Sequence, residues 1–167
     1  MNEVERNTPA LRRYARALLR DADDADDLVQ DTLERAMSRL HLFQVGSNLR
    51  AWLFTILHNL HANAVRRDQR RVTTVDVAFE GDQTGARAPN QHDALAVRDL
   101  QRALDMLPEN QREVLLLIGL EDLSYRQAAD VIGVPVGTVM SRLARGRERL
   151  RRLMEGSHGA SGLRRVR

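Results

Sequence analysis

The stretch from 123 to 153, LSYRQAADVIGVPVGTVMSRLARGRERLRRL, limits the possible folds of this chain more than any other segment. Ser124 and Gln127 have the capping-box spacing, in which two side chains satisfy the first free amides of a helix. Gly133 suits the left-handed conformation that ends a helix, and Pro135 suits the first turn of the next helix. Helices joined by so short a connection cross sharply, so the segment predicts a helix-turn-helix.

The second helix of this pair has an apolar arc and an opposite, polar face. At the 3.6-residue period the arc must face the core, and it comprises Val136, Val139, Leu143, Gly146 and Leu150. The opposite face comprises Gly137, Thr138, Ser141, Ala144, Arg145 and Glu148. Six arginines and one glutamate lie between Arg142 and Arg152. Such a helix suits the DNA major groove, where arginines bond guanine edges and hold phosphates. The alternative is an ordinary surface helix with solvated charges, which the order of cap, glycine, proline and basic face disfavours.

Composition restricts the class of protein further. The 167 residues suffice for one domain or two small ones. Six aromatic residues and 29% charged residues favour helices over sheets. Cysteine is absent, which excludes disulfides and thiolate metal sites and fits a reducing cytoplasm. The first residues lack the layout of a secretory signal, and no apolar run approaches the roughly 18 residues of a membrane span. We therefore expect an all-α, cytoplasmic protein.

Apolar residues at helical spacing predict three helices in the first half of the chain. The first helix is expected from Pro9 to Leu19 and the second from about Asp24 to Leu40. A loop with turn and cap residues, from His41 to Asn48, should precede a third helix from Leu49 to about Arg67. The polar side of this third helix carries Thr55, His58, Asn59, Ala62 and Arg66, with Asn63 at its flank.

Two groups of residues in this half invite a metal-binding interpretation. The aspartates from Asp21 to Asp27 have Asp26 and Thr32 where a calcium-binding EF-hand loop needs glycine and glutamate. They are better interpreted as a helix cap or a solvated docking face. His58 and His61 have no cysteine or carboxylate beside them at ligand spacing, so surface or nucleic-acid contact is the favoured interpretation. No metal site is expected.

The second half begins after a polar segment rich in turn formers. We expect a flexible linker at 72–92. A helix from Ala94 to Leu107 follows, and Pro108 ends it and opens an apolar helix that forms the heart of a small core. The tail at 156–167 is rich in glycine, serine and arginine and is expected to be disordered. The fold predicted is all-α, with small helical domains at 1–71 and 93–155.

Four segments resemble the extracytoplasmic-function (ECF, or group 4) class of bacterial RNA polymerase sigma factors, in order and in spacing. They are DDADDLVQDTLERAM, NLRAWLFTILHN, LPENQREVLLL and LSYRQAADVIGVPVGTVMSRLARGRERL. The resemblance covers 9–153 without the linker, and GTVMSRLARGR is its most specific part. It implies a promoter-specificity subunit with no catalytic residues and no cofactor. In that class the first domain (sigma region 2) docks on the clamp of the largest polymerase subunit and captures the melted downstream promoter element. The second domain (sigma region 4) reads the duplex upstream element.

The same resemblance assigns roles to individual positions. On the DNA-reading helix the base-reading positions correspond to Met140, Ser141, Ala144 and Arg145, with Thr138 and Arg142 nearer the phosphates. Met140 depends on the resemblance alone, whereas the helical period independently supports Ser141, Ala144 and Arg145. For the melted strand the candidates are Asn59, Asn63, Arg66 and Asn48, the last in a loop at 43–48 that would receive a flipped base. For polymerase binding they are Asp27, Gln30, Asp31 and Glu34.

The partners implied are core RNA polymerase, promoter DNA and a dedicated inhibitory protein, an anti-sigma factor. No membrane contact is expected. Two other functions fit parts of the sequence. One is a DNA-binding regulator that never joins polymerase and binds paired half-sites as a dimer. The other is a metal-dependent phosphohydrolase that uses the aspartates and histidines. The combined segments favour the sigma-factor interpretation over both.

Overall fold

The computed structural model describes residues 3–72 and 91–162. Within these ranges every regular element is helical and no strand occurs, which confirms the all-α prediction. Residues 73–90, most of the predicted linker, lie outside the described residues. Its flanks differ from the prediction, because Val72 ends one helix and Gln91 begins the next.

The first domain is built from three helices: α1 (Glu3–Leu18), α2 (Ala22–Ser38) and α3 (Leu49–Val72). A 3-10 turn at Leu40–Leu42 and a short loop connect α2 to α3. The core lies between all three helices, and within it the rings of Tyr14 (α1) and Phe54 (α3) are 5.2 Å apart in an edge-to-face arrangement. Such an aromatic pair adds about 0.5–1.5 kcal/mol to the stabilisation from buried area.

Two helices of this domain are longer than their sequence patterns predict. Helix α1 begins at Glu3 rather than Pro9, although proline removes one internal hydrogen bond. Val4 is only 2% exposed, and burying a valine contributes roughly 1.5–3 kcal/mol, which offsets that loss. Helix α3 continues to Val72 rather than Arg67, because its arginines and glutamine are good helix formers. Extending an existing helix also avoids the unfavourable free energy of nucleating a new one.

The second domain contains α4 (Gln91–Asp105), α5 (Glu109–Leu115), α6 (Tyr125–Ile132) and α7 (Val136–Gly162). Helix α5 widens into a π-helical turn at Leu116–Leu120, in which the Glu121 amide donates to the Leu116 carbonyl at 3.1 Å. A π turn inside an apolar helix is commonly found beside a functional position. Here it directly precedes the buried Glu121.

Helices α6 and α7 form the predicted helix-turn-helix. The Ser124 hydroxyl accepts from the Gln127 amide at 3.1 Å, and the Gln127 side chain accepts from the Ser124 amide at 2.8 Å. Gly133 has a φ of 76°, in the left-handed region that glycine favours. Pro135 directly precedes α7 rather than lying inside its first turn, and its carbonyl accepts from the Val139 amide. The capping box and the glycine stop are therefore confirmed.

Helix α7 also corrects the expectation of a disordered tail. It continues to Gly162, seven residues into the segment at 156–167, and residues 163–167 lie outside the described residues. Once a helix exists, each further residue is added without a new nucleation cost. The ion pair between Arg151 and Glu155, one turn apart at 2.6 Å, supports this end of the helix.

The two domains pack against each other, which the sequence patterns did not indicate. Glu121, whose side chain is completely buried, accepts two hydrogen bonds from Arg13 at 2.7 and 2.9 Å and one from Arg50 at 2.5 Å. Arg112 of the second domain donates to the Leu18 carbonyl of the first at 2.9 Å. Arg13, Arg50 and Arg112 therefore join the domains by bonding groups that would otherwise be buried without partners.

Candidate nucleic-acid interface

Helix α7 presents the predicted DNA-reading side chains on its outer surface. Ala144, Arg145 and Met140 are exposed, the last by 51%. Thr138, Ser141 and Arg142 are half-buried. The opposite arc faces α5, where a β-carbon added at Gly146 would lie 3.0 Å from the Leu115 side chain. The apolar arc was thus assigned correctly, except that Val136 at its start is 38% exposed.

The arginines of α7 divide into two electrostatic groups. Arg151 and Arg152 each donate to Glu148 at 2.9 Å, and Arg151 also pairs with Glu155. Hydrogen bonds from Arg151 and then Arg152 lower the pKa of Glu148, while the pKa of Arg151 is raised by the same carboxylates. Among the described residues, Arg145, Arg147 and Arg149 have no ion-pair partner. The uncompensated positive charge is therefore nearer the N-terminal half of the helix, which is the end that reads bases in this motif.

The first domain also has a basic surface, a cleft between α2 and α3. It includes two predicted contacts, Asn63 and Arg66, and its lining comprises Arg35, Leu60, Asn63, Arg66, Arg67 and Arg70. Sequence inspection missed Arg35, because α2 and α3 are separated in the chain and only folding brings this side chain to α3. Asn59 is exposed on α3 but is not part of this lining.

The loop at 43–48 combines a helix cap with exposed apolar surface. The Asn48 side-chain oxygen accepts from the Ala51 amide at 3.1 Å, which caps the start of α3. The rings of Phe43 and Trp52 lie 5.3 Å apart and hold the loop against the helix. Val45 is 99% exposed. The side-chain oxygen of Asn48 therefore already accepts a hydrogen bond within the protein.

The predicted polymerase-docking residues form a strip along the outer face of α2. Asp27, Gln30, Asp31 and Glu34 are all exposed. Gln30 donates to Glu34, one helical turn away, at 3.1 Å. We call these four residues the acidic strip.

The aspartates before this strip lie at the N-terminal end of helix α2, which Asp21 caps. Asp21 accepts from the Asp23 and Asp24 amides at 2.8 and 3.0 Å, which confirms the helix-cap interpretation. Partial burial, followed by the charges of neighbouring aspartates, raises the pKa of Asp24. A hydrogen bond from Arg16 lowers the pKa of Asp26.

The interpretation of His58 and His61 as surface or nucleic-acid contacts is wrong. His61 is 6% exposed and contacts the Glu109 carboxylate, while His58 lies 3.0 Å from Glu113. Both glutamates belong to α5 of the second domain. Because the partners are about 50 positions away in the chain, no local spacing could indicate them.

Fold and electrostatics together define a two-domain, all-helical protein with a helix-turn-helix whose second helix is basic and with a separate basic cleft in the first domain. The family model described as the Sigma2 domain of PhyR matches residues 4–58, and the model of Sigma-70 region 4 matches residues 98–150. The chain is 44% identical over 146 residues to the ECF RNA polymerase sigma factor EcfG of Rhodopseudomonas palustris (strain TIE-1), covering 87% of this chain and 80% of that relative. It is 36% identical over 152 residues to the ECF sigma factor SigE of Mycolicibacterium smegmatis, covering 89% and 58%.

Solved structures agree with these relatives. The sigma factor RpoE of Bartonella quintana, in complex with the anti-sigma factor NepR, superposes with a TM-score of 0.81 at 42% identity and covers 92% of this chain and 94% of its own. CnrH, in complex with the cytosolic domain of CnrY, superposes with a TM-score of 0.65 at 28% identity and covers 92% and 85%. The chain belongs to the ECF class of RNA polymerase sigma factors. As such it is a transcription initiation factor that directs core RNA polymerase to specific promoters and takes part in their recognition and melting. None of the described helices is long and apolar enough to span a bilayer.

Proposed function

We propose that the two domains divide promoter recognition, the second reading the duplex upstream element and the first capturing the melted downstream element while it docks on the polymerase clamp. The observation that carries this proposal is the exposed, uncompensated Arg145 on the outer face of α7. Arginine at such a position forms bidentate bonds to guanine, whereas neighbouring arginines hold phosphates. Met140, Ser141 and Ala144 would contribute further base contacts, and Thr138 and Arg142 would contact the backbone.

For the melted strand we assign the cleft between α2 and α3. A positively charged groove tracks a single-stranded backbone, and polar side chains beside it bond the exposed bases. Asn63 and Arg66 lie in this cleft, with Asn59 on the same helix. The loop at 43–48, including Asn48, is proposed as the wall that receives a flipped base. Since unstacking a base costs a few kcal/mol, a receptive loop stabilises the open promoter.

The experiment is promoter opening by reconstituted holoenzyme, with permanganate reactivity of the melted bases as the measurement. Asn59→Ala combined with Asn63→Ala should reduce this reactivity while duplex binding and polymerase association stay near wild type. The matched control is Asn7→Ala, because among the described residues the Asn7 side chain bonds only the Glu3 carbonyl, within α1. Wild-type opening by the double variant would refute the assignment of the cleft.

An anti-sigma factor is the further partner that we propose. An apolar groove lies between the domains, lined by Ala17 of α1, Leu100 and Leu104 of α4, and the π-helical turn. Val97 at its edge is 61% exposed. An apolar surface of this kind is typical of a protein-binding site, and the superposed Bartonella sigma factor was solved with an anti-sigma factor. Affinity capture with and without stress should recover such a protein, and recovery of polymerase alone under every condition would refute the proposal.

The remaining assignments follow from the class of protein. We propose that the chain is not an enzyme, since polymerisation chemistry belongs to core polymerase. We also propose that it acts in the cytoplasm, where its promoter DNA lies. Mapping of bound polymerase across the genome would give its promoters and both of their elements in one experiment.

A further inference from the structure

A cluster of histidine and glutamate side chains lies between the two domains, and none of its members lines the basic cleft between α2 and α3. Its members are His58 and His61 of α3 with Glu109 and Glu113 of α5. One ring nitrogen of His61 and one carboxylate oxygen each from Glu109 and Glu113 lie within 4.8 Å of one another. His61 and Glu113 are buried, and Glu109 is at the rim with 43% of its side chain exposed.

We propose that His61, Glu109 and Glu113 form a binding site for a zinc-type divalent metal ion that bridges the two domains. Zinc binds histidine nitrogen and carboxylate oxygen at about 2.0–2.2 Å, so ligands of one ion lie about 3–4 Å apart. Atoms that already lie within 4.8 Å reach this spacing by small rotations of the two glutamate side chains. A set that includes imidazole favours zinc over magnesium or calcium, which prefer oxygen ligands alone.

Charge also favours a cation at this position. Glu109 and Glu113 are one helical turn apart, and like charges at that spacing repel each other. The buried Glu113 is the costlier of the two to leave uncompensated. A divalent ion between the carboxylates removes the repulsion and neutralises both charges. The glutamate at the rim gives the ion a route of entry from solvent.

His58 has a different role in this arrangement. Its Nδ1 lies 3.0 Å from a Glu113 carboxylate oxygen, so it orients the ligand rather than binding the metal. Hydrogen-bonded partners of this kind fix the direction of metal ligands, and their loss typically costs 10–100-fold in affinity. His58 is therefore a positioning residue.

Because ligands come from α3 and from α5, metal binding should stabilise the packed arrangement of the domains. A metal that binds only the folded, closed protein raises its stability by mass action. The zinc-loaded protein should therefore unfold at a higher temperature than the metal-free protein. This inference does not depend on the proposed DNA contacts, since it concerns the free protein.

The experiment is equilibrium zinc titration of untagged, full-length protein against a chromophoric chelator after removal of metals. Wild type should bind one zinc ion per chain, and its thermal midpoint should rise with zinc. Glu109→Gln and His61→Asn should each weaken binding at least about tenfold and abolish the thermal shift, with a smaller loss of affinity for His58→Asn. His41→Asn is the matched control, because His41 is exposed in the 3-10 turn outside the cluster.

Circular dichroism of each variant checks that the fold is retained, and the rim variant Glu109→Gln keeps the test informative if His61→Asn unfolds. Cobalt substitution gives a second readout, since its visible absorption reports the nitrogen and oxygen ligands directly. Absence of stoichiometric zinc binding, or unchanged affinity in Glu109→Gln, would overturn the proposal. In that case the cluster would consist of histidine–carboxylate ion pairs only.

Discussion

At the scale of single residues, the arginines of α7 differ in their ion pairs. Arg151 and Arg152 are held by Glu148, whereas Arg145 is exposed and has no ion-pair partner among the described residues. A guanidinium already bound to a carboxylate must break that pair before it contacts DNA. Exposure and the lack of an ion pair within the described ranges thus distinguish Arg145, Arg147 and Arg149 from the two paired arginines, and the helical period places Arg145 on the face opposite the apolar arc.

Arg145→Ala should weaken holoenzyme binding to the upstream element by about 1–3 kcal/mol and relax base preference at one position. Selection from a randomised promoter library measures both effects. Arg102→Ala, an exposed arginine on α4, is the control and should change neither. An unchanged selectivity profile with weaker binding to all sequences would make Arg145 a phosphate contact.

The buried hydroxyl of Tyr14 leads to a second prediction, on the pH dependence of stability. Its hydroxyl is buried and has no hydrogen-bond partner among the described residues. Burial, followed by the charges of nearby carboxylates, raises the pKa of Tyr14 well above 10. Folding therefore favours the protonated form, and this contribution to stability is present at neutral pH and is lost as the pH rises above the unfolded value near 10.

Tyr14→Phe should change the free energy of unfolding at pH 7 by less than about 1 kcal/mol, since no hydrogen bond is lost. It should also reduce the loss of stability above pH 10. Urea unfolding in the presence of EDTA at both pH values measures this, with the exposed Tyr125→Phe as control. A large loss of stability at pH 7 would mean that the hydroxyl has a bonded partner.

At the scale of elements, α6 depends on its capping box because it is only eight residues long. Isolated helices of this length are unstable, so caps and packing must supply the stability. Ser124→Ala should cost about 0.5–2 kcal/mol in the free energy of unfolding. Chemical denaturation provides the measurement. Ser38→Ala at the end of α2 should cost less, since in the part of the chain that the structure describes its hydroxyl bonds only the nearby Arg35 carbonyl.

Helix α2 carries the acidic strip, and reversing the charge of this strip tests its proposed contact with polymerase. Asp31→Arg with Glu34→Arg should weaken binding to core polymerase at least about tenfold, because like-charge juxtaposition at an interface costs several kcal/mol. Titration with labelled core enzyme measures the affinity. Arg145→Ala should leave this affinity unchanged, because α7 lies in the other domain. Wild-type affinity of the double variant would place the docking surface elsewhere.

At the scale of the whole molecule, Glu121 and its two arginines form one of the buried contacts that join the two domains. Arg13 and Arg50 come from the first domain, while the fully buried carboxylate comes from the second. Hydrogen bonding to Glu121 raises the pKa of Arg13, as expected for a closely paired guanidinium. Removing both arginines leaves a buried charge without compensation, which is strongly destabilising unless the domains separate and water reaches it.

Arg13→Ala with Arg50→Ala should therefore open the molecule. A compact chain of this length has a radius of gyration of about 15 Å, and the variant should exceed the wild-type value in small-angle X-ray scattering. Arg12→Ala is the control, because Arg12 pairs with Asp26 inside the first domain. An unchanged radius together with lowered thermal stability would show that apolar packing alone keeps the domains closed.

Several features of this protein were determined by the sequence alone because they depend on neighbours in the chain. The capping box of Ser124 and Gln127, the stop at Gly133 and the outward position of Arg145 all follow from spacings of a few residues. So does the Asp21 cap of α2. The helix ends were predicted less well, since burial of Val4 and propagation of α3 and α7 extend helices past their local signals.

The packing of the two domains was decided only by the tertiary structure. Arg13 and Glu121 are 108 positions apart, and His61 and Glu109 are 48 apart, so no periodicity links them. A histidine on a helix has the same local pattern whether it faces solvent, DNA or a glutamate. Its environment is set by which helix lies opposite, and that depends on burial of apolar surface and pairing of charge over the whole chain.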